Sequence, residues 1–422
     1  MTARGWRTAF VVLALVAFAG CESTTTKGDA SNTEVPTTSS SVATSLPTAT
    51  TSSTSTTSTS TTTTIGPPVA LDVDLENDVG LIAANATAQE VASVQQLIQR
   101  CRELWPGGTR SIAMSVSRHG QFVASWTVGK TTAGAAIDLT ARFRIASISK
   151  LLTSLTVMRL VEQGLIQLDV PFVDQYSNDD APLDSRFARI TVRSLLTHSS
   201  GLNGLRDAFF EGTVNDWHEV VELAYDREML FEPGTDFAYS NANFVLLGAL
   251  VEQAAGVPYE QAVHEFVLDP LGIDRAELVD TADQPELDPN YAVKPGRLYM
   301  EALGPAGAWV MTATDGARLM AAFDSAIAPL VVSVETIAAM RSFSGIQSDD
   351  PDDYQYGLGL MLVTPGTYVG HTGTIESALS FALLLPNGYA LTVFTTSENT
   401  VANGTGLIKY FRAELDALAQ LP

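Results

Sequence analysis

Between Arg144 and Arg159 the chain reads IASISKLLTSLTVM, and Lys150 is the only charge in that stretch. Ile148, Leu151, Leu152, Leu155 and Met158 leave no polar stripe for a solvated helix face, so a helix here must be enclosed by protein. An ammonium on such a helix has to be paired, hydrogen-bonded or partly neutralised. Desolvation lowers a lysine pKa by up to about 3–5 units, each worth about 1.4 kcal/mol. If the helix starts near Ser147, residues three apart stand about 4.5 Å apart along its axis and within about 60° around it. A serine hydroxyl is then beside an amine that can take its proton, which is what an activated serine nucleophile requires. A lone S-x-x-K also arises where a lysine stem lies along an apolar surface, so the rest of the chain has to decide.

The front of the chain sets the context. Residues 1–21 carry Arg4 and Arg7, an apolar run from Ala9 to Ala19, and then Gly20-Cys21, the three-part layout of a secretory signal. As a helix that run reaches roughly 16–18 Å against a hydrocarbon core of ~30 Å, too short for a membrane span. Phe18-Ala19-Gly20-Cys21 resembles a bacterial lipobox, which implies lipidation of Cys21, export and attachment to the outer face of the cytoplasmic membrane; ordinary secretion is the alternative. Residues 22–68 are mostly Ser and Thr, with almost nothing to bury, and read as an extended tether. Residues 69–422 are left as the folded domain.

Arg4, Arg7 and Lys27 balance Glu22, Asp29 and Glu34, so the whole formal charge of −23 falls beyond residue 70. Such an acidic domain is a poor partner for nucleic acid or anionic lipid. The runs Asp72 to Asp78 and Asp349 to Asp353 match no calcium-loop spacing and are expected to be solvated loops. Gly129-Lys130-Thr131 lacks the spacing of a phosphate-binding loop, and no dinucleotide fingerprint or zinc pattern occurs, so no cofactor or metal is expected. Val91, Val94, Leu97, Ile98, Cys101 and Leu104 follow helical spacing, with Thr87 and Glu90 as a capping box, which makes Cys101 a buried structural thiol.

Ser111–Ser117 and Phe122–Val128 read as strands joined by a turn at His119-Gly120. Helical patterns dominate from Ser147 to Arg341. Strand signals return at Tyr356–Thr364, Thr367–Val369 and Ala378–Leu385, and Pro386-Asn387-Gly388 turns into Tyr389–Thr396. A last helix is expected over Gly404–Ala419. Strands from both ends flanking a helical middle give an α+β fold, an antiparallel sheet flanked by helices with a mainly helical second lobe, and a cleft between lobes for the site.

Two tyrosines could complete a serine–lysine site. Tyr176-Ser177-Asn178 lies among Asp174, Asp179 and Asp180 and reads as a surface turn. Tyr239-Ser240-Asn241 follows Pro233-Gly234 and leads into a buried helix, with Ser240 or Asn241 as its N-cap. Gly370-His371-Thr372-Gly373-Thr374 has glycines around a His-Thr pair, suggesting a strand that another molecule approaches closely. Of the five histidines, His119 is in a turn, and His218 and His264 read as surface groups on helices.

Ser147-x-x-Lys150, Tyr239-x-Asn241 and His371-Thr372-Gly373 stand in the order and spacing of the serine β-lactamase and penicillin-binding-protein superfamily. Leu195-Leu196-Thr197-His198-Ser199-Ser200-Gly201, Phe231-Glu232-Pro233-Gly234-Thr235 and Tyr356-Gly357-Leu358-Gly359 resemble its class C-like branch, over about residues 105–415. The resemblance implies a serine hydrolase acting on a small ester, peptide or β-lactam. Ser147 forms the acyl-enzyme, Lys150 and Tyr239 share the acid–base work with their order left open, and Asn241 bonds substrate or Lys150. The N–H groups of Ser147 and Thr374 form the oxyanion hole, and Thr372 and Gly373 belong to the same substrate-binding strand. His198 reads as a loop anchor. Many relatives carry Lys where this chain has His371, a residue mostly neutral at pH 7, so weak β-lactam turnover is expected. Glu376 repels anionic substrates if it faces the pocket; a solvent-facing carboxylate is the other reading. A penicillin-recognising or ligand-binding pseudoenzyme is the alternative to a hydrolase.

Overall fold

In the computed structural model the long strands follow a period of two. Ile112, Met114 and Val116 are buried on one face of their strand, while Ala113, Ser115 and Ser117 are buried on the other. The structure describes residues 66–422 apart from 72–77, 105–108, 132, 179, 212–213, 283–288, 290–298, 364–366 and 398–402. The expected signal segment, Cys21 and nearly all of the 22–68 tether lie outside the described residues.

Twelve strands are described: β1 (Val69–Ala70), β2 (Val79–Ile82), β3 (Thr109–Arg118), β4 (Gln121–Gly129), β5 (Phe143–Arg144), β6 (Glu277–Leu278), β7 (Trp309–Met311), β8 (Tyr354–Tyr356), β9 (Met361–Val363), β10 (Tyr368–Ile375), β11 (Ala378–Leu384) and β12 (Tyr389–Ser397). Nine form one antiparallel sheet in the order β1-β2-β4-β3-β12-β11-β10-β9-β8. The expected α+β architecture is present: helices cover both faces of this sheet. β6 and β7, inside the stretch whose sequence reads as helical, make a small second sheet with β5, which precedes it.

One face of the large sheet packs on α1 (Ala88–Leu104) and the C-terminal helices. The capping box of α1 is closed in both directions: Thr87 N–H donates to Glu90 Oε2 at 2.7 Å, and Glu90 N–H to Thr87 Oγ1 at 3.2 Å. Cys101 is a free, fully buried thiol on its inner face, and burial pushes it far above the usual thiol range. The C-terminal helix breaks at Phe411 into Gly404–Tyr410 and Arg412–Leu418, where one continuous helix was expected. Phe411 turns into the core against Phe381, ring centroids 5.7 Å apart.

The other face carries the helical lobe. Ser117 Oγ donates to Ala317 O and Thr392 Oγ1 to Ala313 O, so small polar residues let the helix Ala313–Leu319 press onto the strands. At the centre of the lobe runs α2 (Ser149–Glu162), on which Leu151, Leu152, Leu155 and Val157 are fully enclosed. Each such side chain contributes about 1.5–3 kcal/mol by burial.

Three sequence expectations are corrected here. Asp78 is no solvated loop residue: its carboxylate is buried and accepts from Arg102 Nη2 at 3.0 Å and Trp126 Nε1 at 3.1 Å. Tyr356–Thr364 is not one strand, because Gly357–Leu360 turns between β8 and β9. Gly359 has φ +74°, and a Cβ there would lie 1.7 Å from Ser154 Oγ. Of Thr367–Val369 only Tyr368 and Val369 are strand, as the beginning of β10, which continues through the Gly-His-Thr-Gly-Thr stretch to Ile375.

Candidate active site

The turn that carries Ser147 is built by the small sheet. β5 pairs with β7, and Ile145 N–H donates to Trp309 O at 3.1 Å. The chain then bends sharply at Ala146, whose φ of +48° lies in the left-handed region and costs a non-glycine residue about 1–2 kcal/mol. A short 3-10 turn, Ala146–Ile148, carries Ser147 and feeds into α2 at Ser149, two residues later than the sequence places the helix start. Ser147 and Lys150 therefore bridge a helix junction. The spacing still works: Lys150 Nζ lies 3.1 Å from Ser147 Oγ.

Lys150 is fully buried, and its Nζ has two further partners, Asn241 Oδ1 at 2.8 Å and Ala306 O at 2.7 Å. Both are acceptors only. A neutral amine has two N–H groups and one lone pair, so donation to these two carbonyl oxygens leaves the lone pair for the Ser147 hydroxyl. Burial holds the amine well below its ordinary value, and no carboxylate offsets that effect. The geometry accommodates the base form, and burial favours it.

Tyr239 completes the cluster. Its phenol hydrogen-bonds Ser147, and burial, reinforced by the Asp349 carboxylate, pushes it far above the usual tyrosine range. It is accordingly a neutral O–H donor in the resting site. The ring centroid lies 5.1 Å from Lys150 Nζ. Asn241 opens the helix Asn241–Ala255, but neither it nor Ser240 caps that helix through its side chain. Asn241 is turned to Lys150, and Ser240 Oγ donates to Asn203 O at 3.3 Å. Tyr176 is elsewhere, stacked on Phe172 with centroids 5.1 Å apart.

β10 forms the opposite wall. Its glycines lie in close contact with the protein's own backbone. A Cβ on Gly373 would lie 2.2 Å from Ile145 O, and one on Gly370 2.0 Å from Ala382 O. His371 is buried, with both ring nitrogens engaged: Nδ1–H donates to Thr372 O, so Nε2 accepts the Tyr356 hydroxyl. Burial pulls the imidazole down to about 3. It is a neutral wall group and not a counter-ion. Thr374 is exposed to the cleft and accepts Gly404 N–H at 2.9 Å. Glu376 is not among the cleft-lining residues; its charge is felt by Tyr299, whose hydroxyl accepts from Arg144 at 2.7 Å.

Ser147, Tyr239, Asn241, His371, Thr372 and Thr374 line one cleft of about 570 Å³. Arg206, Asp349, Asp350, Tyr354 and Asn403 line it too, all overlooked in the sequence. Asp349 accepts from the Tyr354 phenol, so this acidic run furnishes a cleft wall where only a solvated loop was expected. Ala306 was also missed, since a backbone carbonyl carries no sequence signal. Among the described residues no group of three or more His, Cys, Asp or Glu side chains gathers where it could hold a metal ion.

The family model for Beta-lactamase matches residues 94–411. The chain belongs to that family of serine hydrolases. Among curated relatives, the probable fimbrial assembly protein FimD, serogroup H1, of Dichelobacter nodosus is 33% identical over 129 residues, covering 30% of this chain and 32% of that protein. Esterase EstB of Burkholderia gladioli is 32% identical over 175 residues, 37% of this chain and 44% of its own. The matches thus span less than half the length of these two relatives. A D-stereospecific amidohydrolase from Streptomyces sp. shares the fold, with TM-score 0.62 and 24% identity over 76% of this chain and 98% of that one.

Proposed function

We propose that this protein hydrolyses esters or amides through an acyl-enzyme on Ser147, with neutral Lys150 as the acylation base. The observation that carries this reading is the partner set of Lys150 Nζ: two carbonyl oxygens and the Ser147 hydroxyl around a fully buried amine. Ser147 Oγ attacks the carbonyl carbon while its proton passes to Nζ. The carbonyl oxygen becomes an oxyanion, for which the N–H groups of Ser147 and Thr374 are the donors. β10 and β11 turn through two residues, with Ile375 opposite Ala378. In such a hairpin the closing pair exchanges both hydrogen bonds, so the next residue, Thr374, directs its N–H away from β11. One donor of this kind is worth about 2.7–4 kcal/mol in other hydrolases.

Collapse of the tetrahedral intermediate expels the alcohol or amine, and Tyr239, a neutral phenol in contact with Ser147, supplies its proton and recovers one from Lys150. Water then enters by the same route, and the acid and Ser147 are released. The names Esterase EstB and D-stereospecific amidohydrolase support ester and amide bonds as the target. With His371 neutral and bonded to Tyr356, the strand offers no cation for a substrate carboxylate, which favours esters or amides over β-lactams. Intact mass after incubation with a fluorophosphonate tests the reading. A single adduct on wild type that is lost in Ser147→Ala is expected; no adduct on the folded wild type would leave a ligand-binding pseudoenzyme. Comparing a nitrophenyl ester, a D-Ala-D-Ala peptide and a chromogenic cephalosporin identifies the substrate class, with the cephalosporin expected to be slowest.

The domain is further proposed to work outside the cytoplasmic membrane, held by a lipid on Cys21 and spaced by the Ser/Thr-rich tether. Metabolic labelling with an alkyne fatty acid should mark the wild type and not Cys21→Ala.

A further inference from the structure

The Leu195–Gly201 stretch and the Phe231–Thr235 stretch take no direct part in the chemistry proposed above, yet they are laced together beneath Tyr239. Gly234 N–H donates to Ser199 O at 2.7 Å, and Leu230 N–H to Gly201 O at 2.7 Å. A Cβ on Gly201 would lie 2.3 Å from Phe231 O, so the two segments are in backbone contact. His198 stands at the centre of this lacing. It is fully buried and has φ +54°, in the left-handed region where histidine and asparagine are enriched among non-glycine residues.

The partners of His198 bracket Tyr239. Its carbonyl accepts Ala238 N–H at 2.9 Å, and its Nδ1 accepts Ser240 N–H at 3.2 Å and Asn243 Nδ2 at 3.1 Å. An imidazole nitrogen that accepts two donors carries no proton, so the ring is the neutral tautomer protonated at Nε2. Burial, with Lys150 and His371 close by, keeps it neutral well below the usual histidine range. The ring also lies against that of Tyr239, centroids 4.2 Å apart and planes at 31°. Tyr356 and Phe244 close the other sides at 4.8 and 5.4 Å. Residues 238–240 lie in no helix or strand, so the backbone next to the phenol is held by His198 where a helical or strand residue would be held by its own element.

From this we infer that His198 is a positioning residue, which fixes the Tyr239 phenol against Ser147 by tying the backbone on both sides of it and stacking on its ring. The inference rests on the role given to Tyr239 in the proposed hydrolase. Acting through another residue has a signature that a general contribution to stability lacks: its effect disappears when the other residue is already disabled.

The experiment is a double-mutant cycle on an alkyl ester, with kcat and KM measured for wild type, H198A, Y239F and the double variant, and thermal unfolding recorded for each. His198→Ala is expected to lower kcat by about 10²-fold, the usual consequence of a displacement near 1 Å in a catalytic group, with KM little changed. In the Tyr239→Phe background the same change is expected to cost only a few-fold more. His198→Asn is expected to recover most of the loss, because its Oδ1 can take the place of Nδ1 and asparagine tolerates the positive φ. Should His198→Ala fail to fold, His198→Phe, which keeps a ring and loses the acceptor, carries the same expectation. Wild-type activity in His198→Ala, or losses that multiply with those of Tyr239→Phe, overturns the inference while the hydrolase stands. A wild type that takes no fluorophosphonate on Ser147 overturns both.

Discussion

Replacing Lys150 by arginine separates a base from a fixed charge. The amine donates to Asn241 Oδ1 at 2.8 Å and Ala306 O at 2.7 Å and faces Ser147 Oγ at 3.1 Å. If it removes the serine proton, losing it costs the 10²–10⁴-fold typical of general base catalysis, about 3–5.5 kcal/mol of barrier. Arginine keeps a positive charge but does not deprotonate in proteins. Lys150→Arg is therefore expected to fall into the same range as Lys150→Met. The methionine variant also strands two buried carbonyl oxygens, at about 1–3 kcal/mol each, and the arginine variant overpacks a fully buried site by about 1–3 kcal/mol. Both are best assayed at a temperature where thermal unfolding shows them folded. The readout is the second-order rate of fluorophosphonate addition, followed by intact mass. An arginine variant within about tenfold of wild type would refute the base assignment, since a retained charge would then suffice.

Further consequences concern the acid, the nucleophile turn and the core. Tyr239→Phe should slow an alkyl ester or amide by about 10²–10⁴-fold but a nitrophenyl ester far less, because nitrophenolate departs without a proton; equal losses on both would remove Tyr239 from leaving-group protonation. Gly373→Ala places a Cβ 2.2 Å from Ile145 O, two residues before Ser147, and is expected to cut fluorophosphonate addition by about 10²-fold in protein that still folds. A rate equal to wild type would show that the turn can yield. Asp78→Ala leaves Arg102 and the Trp126 indole N–H without their shared acceptor and should lower stability by about 3 kcal/mol in urea unfolding. A loss below about 1 kcal/mol would make that contact incidental.

Much of the site was legible because its side chains are chemically conspicuous where they stand. A lysine in an apolar helix, a tyrosine at the start of a buried helix, and glycines around a His-Thr pair each break a local pattern, and the structure sets Tyr239, His371 and Thr372 on one cleft with the lysine buried behind Ser147. The strands were readable where both faces are buried and the turn residues are explicit, as at Pro386-Asn387-Gly388. Illegible features share a cause, in that tertiary contact set them. Nothing local distinguishes Asp78, buried beside Trp126, from its neighbours in an acidic run. The break at Gly357–Leu360 depends on Ser154 crossing behind it. Ala306 acts through a carbonyl that every residue has. For His371 the residue type was informative and its orientation was not: a sequence cannot say that Tyr356 takes up the second nitrogen.

The central claim is that the proton of Ser147 goes to an amine already neutral at working pH. The rate of fluorophosphonate addition to Ser147, measured as pH is raised from acid to alkaline, tests it directly. A buried lysine whose pKa is lowered binds its proton only at lower pH, so the rate should climb with a slope of one and level off well below the ordinary lysine value of 10.5. A rate still climbing through 10.5 would mean that Lys150 is an ordinary ammonium in the resting protein, and would contradict the account.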